Sequence, residues 1–165
     1  MNKKLIISGI LIAAALGGWL IHYFSDRQVI RRQLHTIAQN LSKEGEEAPV
    51  MMALRMKQVL DRLDRQCLIE IPEQGFSEAM EPGLIIRYLI NYRGRQATLL
   101  VAVDEITVEI PAPGRGAVAT LIRLTGNAGR PDFFEERHRV EFSLQKIEKK
   151  WLIQKALLPE ELVRY

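Results

Sequence analysis

The feature that most narrows the possible folds of this chain is a change of hydrophobic period near residue 97. Before it, apolar residues recur every three or four positions, as on one face of a helix. After it they alternate with polar ones, as on a half-buried strand. Leu99, Val101 and Val103 alternate up to Asp104, and Ile106, Val108 and Ile110 alternate beyond Glu105. The two halves of one long strand therefore carry opposite parity, which a bulge near Asp104 would reconcile. Residues 111–114 form a Pro- and Gly-rich turn, and Val118, Thr120, Ile122 and Leu124 continue with period two until a loop at residues 126–132. Phe134, His138, Val140, Phe142 and Leu144 then share one strand face, opposite Arg137, Arg139, Glu141, Ser143 and Gln145. A tight turn at Glu148, Lys149 and Lys150 leads to a last strand over residues 151–158. Four long strands joined by short turns predict an antiparallel sheet, curved by its bulge.

Helices precede this sheet. Ser25 or Asp26 can cap a first helix striped by Ile30, Leu34, Ile37 and Leu41. Gly45 interrupts the pattern, and Pro49 opens a second helix that carries Met52, Met56, Val59, Leu60 and Leu63 and ends near Arg65. Residues 67–71, closed by Pro72, read as a brief edge strand. Residues 77–93 read as a third helix through Leu84, Ile85, Tyr88, Leu89 and Tyr92, with Gly94 at its end. The expected class is α+β, with helices packed in a strongly curved antiparallel sheet.

Residues 5–24 form a separate unit of twenty residues without a formal charge. As a helix they would span ~30 Å, the thickness of a bilayer core. Lys3 and Lys4 supply the short basic tail common to secretory signals and membrane anchors. Ala15, Leu16 and Gly17 resemble a cleavage site, yet Trp19, Leu20 and Ile21 prolong the apolar run beyond it. The division is thus residues 1–24, an N-terminal membrane anchor or, alternatively, a cleaved signal, and residues 25–165, one globular domain. With the amino end in the cytoplasm, the protein would be single-pass in a bacterial inner membrane, its domain on the periplasmic side. Gly9, Ala13 and Gly17 also offer a flat helix face for self-association.

Of 23 Lys and Arg and 20 Asp and Glu, two lysines precede residue 25, which leaves the domain 21 basic and 20 acidic side chains. That near balance argues against nucleic acid as a partner. The lone Cys67 excludes an intrachain disulfide and a multi-cysteine metal site.

The order of elements, and in particular the stretches AVDEITVEIPAPGRGAVATLIRLTG and VEFSLQKIEKKWLIQKALL, resemble the nuclear transport factor 2-like superfamily across residues 26–158. The resemblance implies a cone-shaped, cystatin-like fold. Small bacterial members with one N-terminal span, which serve as assembly parts of secretion and transport machines, are closest in form. A ketosteroid isomerase-type site would need an Asp base with Tyr and protonated Asp donors. Residues 26–65 contain no tyrosine to match that donor.

His138 shares the inward parity of Val140 and is a candidate pocket residue, able to bind a ligand or move a proton, or else simply solvated at the strand's end. Asp104 and Glu105, at the inferred bulge, are further pocket candidates. Arg137 and Arg139, on the polar outer face of the same strand, are candidates for partner binding. His35 reads as a helix-boundary residue, and Cys67 as a small buried one. Phosphate cradles, nucleophile turns and metal helices have no matching motif, so no catalytic residue, metal or cofactor is expected. The expected function is a membrane-tethered, non-catalytic binding or assembly module. It would contact lipid through residues 5–24 and a protein partner or a second copy through its domain. The competing class is a pocket protein, a small-molecule carrier or an isomerase- or dehydratase-like enzyme, that uses the cone interior.

Overall fold

The computed structural model of the chain describes residues 25–162 together with Ile12, Gly17 and Gly18. Helix α1 (Asp26–Leu41) follows Ser25 and buries Ile30, Gln33, Leu34 and Ala38 along one face. Helix α2 (Pro49–Leu60) opens on a proline, whose missing N–H is harmless in a first turn. Strand β1 (Leu63–Ile71), a 3-10 turn (Pro72–Gln74) and strand β2 (Phe76–Met80) lead to helix α3 (Pro82–Arg95). Strands β3 (Leu99–Ala112), β4 (Arg115–Gly126), β5 (Phe134–Ile147) and β6 (Lys150–Leu157) complete the domain, with a last 3-10 turn (Glu160–Leu162). Among the described residues, three α-helices pack on one curved six-stranded sheet of order β2-β1-β6-β5-β4-β3, an α+β architecture as expected.

The burial of β3 follows its alternation on both sides of the bulge. Leu99 and Val101 are buried before the bulge and Val108 after it, and the β3–β4 register jumps from Asp104↔Leu121 to Thr107↔Ala119. Glu105 lies inside the jump with φ +50, and Thr120 Oγ1 donates to the Asp104 carbonyl at 2.9 Å, which gives the displaced backbone a partner. Glu148 and Lys149 both have positive φ, the backbone a two-residue hairpin turn requires.

Four expectations need correction. The second helix ends at Leu60, not near Arg65, because Ile153 N donates to the Arg62 carbonyl at 2.8 Å and Leu63 pairs with Ile153, drawing the chain into β1. Residues 76–80 are a strand rather than the start of the third helix. Their register, Cys67↔Met80 to Ile71↔Phe76, satisfies a free edge of β1, and this pairing outweighs helical propensity. β1 is consequently an interior strand, with β2 outside it. Finally, the sheet is not wholly antiparallel, since β1 and β6 run parallel. Their separation in sequence leaves no hairpin to dictate direction.

The concave side of the sheet is filled by side chains. Ile30 and Leu34 of α1 join Cys67, Val108, Val118, Leu144, Trp151 and Ile153 in one cluster. Ala38 meets Leu99, Val101 and Leu124 in a second, with Tyr92 and Phe134 packed against it. Met56 and Val59 of α2 meet Ile86 of α3 in a third. Gln33, the buried polar residue of α1, donates to the Trp151 carbonyl at 2.9 Å. Among the described residues no helix is long and apolar enough to cross a membrane. The expected span, residues 5–24, lies outside them apart from Ile12, Gly17 and Gly18.

Candidate functional site

His138 lies on the inner face of β5, in register with Ile122 of β4, and is 8% exposed. Two residues earlier on the same face, Glu136 brings its Oε2 to 2.9 Å from His138 Nε2. A carboxylate at that distance accepts a proton held on Nε2 and so sets the ring's orientation. The pair is an acid–base couple of a buried histidine and a half-buried carboxylate. It could hold a polar ligand group or relay a proton if substrate reached it.

Asp104 and Glu105 do not join it. Asp104 precedes the bulge on the outer face, where its Oδ2 accepts from Arg123 Nε at 3.2 Å. Glu105 is exposed at the bulge itself. The two carboxylates expected to face the pocket with His138 are therefore on the solvent side, because the extra residue enters β3 after Asp104 rather than before it. Arg137 and Arg139 are exposed on that outer face, as expected, and Arg137 is held at 3.5 Å from Glu135. His35 is exposed on α1.

The outer face also carries an open groove of about 430 Å³. Ala117 and Ala119 of β4 belong to it, flanked by Thr107 and Glu109 of β3, Glu141 and Ser143 of β5, and Lys155 and Leu157 of β6. Short side chains on the middle strand with longer ones to either side leave this hollow. His138 is not among the residues that line it.

Two polar clusters escaped the sequence reading. Arg93 of α3, 2% exposed, donates to the carbonyls of Leu41 at 3.0 Å and Ser42 at 2.8 Å and to Glu47 Oε2 at 2.5 Å. It thereby caps the C-terminal end of α1. Arg55 Nε approaches the other oxygen of Glu47 at 3.1 Å. The hydrogen bond from Arg93, supported by the charges of Arg93, Arg55 and Lys43 against the opposing effect of burial, holds the Glu47 carboxyl below its ordinary value of 4.5. Position 93 falls four residues after Leu89 and seven after Ile86, so the inward stripe of α3 did contain the signal. Leu84 and Tyr88, expected on that stripe, are exposed.

In the second cluster, Asp26 Oδ1 accepts from Lys146 Nζ at 2.7 Å and from Trp151 Nε1 at 3.2 Å. Lys146 leads the influences that hold the Asp26 carboxyl below 3.8, with Trp151 adding to it and burial opposing. This clasp fixes the first turn of α1 to the β5–β6 hairpin. Cys67 is 1% exposed, and burial chiefly, with the negative charge of Asp64, pushes its thiol up to about 11. Among the described residues, no group of three or more His, Cys, Asp or Glu is arranged to hold a metal ion.

No protein-family model and no curated protein sequence matches the chain. Solved structures do. A putative scytalone dehydratase from Novosphingobium aromaticivorans superposes with a TM-score of 0.61 at 10% identity, covering 78% of this chain and 79% of that one. The association domain of C. elegans CaMKII gives 0.60 at 12% identity, covering 83% and 97%. A protein of unknown function with a cystatin-like fold from Nostoc punctiforme gives 0.57 at 9%, covering 79% and 86%. At such identities the likeness is one of fold: the domain has a cystatin-like fold.

Proposed function

We propose that the protein is a non-catalytic, membrane-tethered binding or assembly module. Residues 5–24 hold it in a bacterial inner membrane, and the outer face of its sheet meets a protein partner on the periplasmic side. The observation that carries this reading is that the hollow bounded by Glu109, Ala117, Ala119 and Glu141 opens on the solvent side of the sheet, while the concave side is packed with side chains. Arg137 and Arg139 continue the same face as a mixed-charge surface, suited to a reversible contact. Likeness to an association domain supports an interaction role. A second reading, a pocket protein or dehydratase-like enzyme, is favoured by the inward-facing His138–Glu136 couple and by likeness to a putative dehydratase.

Complementation, together with affinity purification from gently solubilised membranes, separates the two. The assembly reading expects Arg137→Glu with Arg139→Glu to lower recovery of the partner by about tenfold or more, since reversed rim charge repels where it attracted. His138→Ala would leave function intact at normal abundance. Loss of function from His138→Ala alone, with full partner recovery, would transfer the assignment to the pocket reading.

A further inference from the structure

Charge is not spread evenly over this nearly neutral domain. The β5–β6 hairpin, the β3–β4 turn and the first turn of α1 meet at one end, because Lys146 N donates to the Gly114 carbonyl at 2.8 Å and Lys146 Nζ reaches Asp26 at 2.7 Å. That end gathers Arg27, Arg115, Lys146, Lys149 and Lys150 against only Asp26 and Glu148. Arg27, Arg115, Lys149 and Lys150 are exposed and have no ion-pair partner among the described residues. Ile147, 37% exposed, lies beside them at the hairpin tip. The domain as a whole carries one net positive charge and this end carries three, so the remainder is net acidic. The basic end is also where the uncharged residues 5–24 join the domain. The opposite end of α1 is tied to the start of β3 through Lys43 and Leu99.

We infer that this end is a docking surface for anionic lipid headgroups of the bilayer that residues 5–24 enter. Arg115, Lys149 and Lys150 reach the headgroups, and Ile147 meets the interface between them. The inference rests on residues 5–24 crossing the membrane. It adds that the domain is seated on the leaflet instead of swinging on a tether. Two features make seating feasible. The Asp26 clasp to Lys146 and Trp151 removes the freedom between the first turn of α1 and the hairpin, so the hairpin is held near the point of membrane entry. The left-handed pair Glu148 and Lys149 makes a tight tip rather than a loose loop, which keeps its lysines together. Each Lys or Arg near an anionic leaflet strengthens such a contact about fivefold, an effect confined to a Debye length and weakened by salt.

The test uses the full chain reconstituted in vesicles of phosphatidylcholine alone or mixed with phosphatidylglycerol. Retention after carbonate washing is scored first, then amide hydrogen exchange of residues 114–115 and 147–150. The expected result is slower exchange in the mixed vesicles only, by about fivefold for each basic side chain engaged, and reversal by salt. The variant Arg115→Gln, Lys149→Gln, Lys150→Gln should keep its carbonate retention and lose the lipid-dependent slowing. Circular dichroism should match the unmodified chain, since none of the three residues is buried. Equal exchange in both vesicle types from a carbonate-resistant chain would overturn the docking surface and leave the anchor standing. So would slowing that persists in the variant. Extraction by carbonate would overturn the membrane reading and this inference together.

Discussion

Arg93 offers the sharpest test of what holds the domain together. Replacing it by leucine keeps the volume roughly constant and removes a guanidinium with three acceptors, the Leu41 and Ser42 carbonyls and Glu47. The losses are unequal. Ser42 O keeps a donor, Arg55 Nη1 at 3.1 Å, and Glu47 keeps Arg55 at its other oxygen and is 14% exposed. The Leu41 carbonyl loses its charged donor outright, at about 1.5–3 kcal/mol. Loss of the buried partner of Glu47 adds about 1 kcal/mol, less than for a fully buried pair because water and Arg55 remain. Arg93→Leu should therefore cost about 3 kcal/mol, whereas Arg55→Leu, at a partly exposed ion pair, should cost under about 1 kcal/mol. Cys67 provides the assay. It is the chain's single cysteine, its side chain lies in the first core cluster, and its thiol is raised to about 11, so alkylation near neutral pH requires opening of the core. In the regime where closing outruns labelling, Arg93→Leu should speed alkylation of the full chain by about a hundredfold and Arg55→Leu by less than about fivefold. Equal rates for the two variants would refute the claim that the buried guanidinium, and not the surface half of the network, carries the stability.

Gly126 of β4 is in register with Phe134 of β5, and a Cβ there would overlap the Phe134 ring. Gly126→Ala should destabilise by about 1–3 kcal/mol. Adding Phe134→Leu should recover part of that loss, and a simply additive double variant in chemical denaturation would count against the contact. Asp26 and Glu47 both have lowered carboxyl pKa values in the folded chain. Such groups stabilise above their unfolded values, and that stability is lost as pH falls from the ordinary 3.8 and 4.5 toward the depressed folded values. Stability should thus decline below about pH 4.5, and Asp26→Asn with Glu47→Gln should flatten that decline. An unchanged slope in acid denaturation would show that other carboxylates govern it.

The strands from residue 99 onward were legible because burial of one face imposes an alternation that each strand records locally. The same rule set the inward direction of His138 and located the bulge at Asp104. Other features were decided by partners distant in the chain. Residues 76–80 carry no strand signal of their own and became β2 because β1 had a free edge for them. β1 itself took an interior place, parallel to β6, through a pairing no turn encodes. Asp104 was found at the bulge, but the face it occupies depends on which side of it the register slips against β4. Arg93, a charged residue on an apolar stripe, could settle there only because the loop after α1 delivers two carbonyls and Glu47 to the same point. Local periodicity fixes which way a side chain points along its own element. What it meets there depends on long-range packing unless the neighbour shares its strand, as Glu136 does with His138, and the hollow on the opposite face of the sheet needed three strands brought together beside β4.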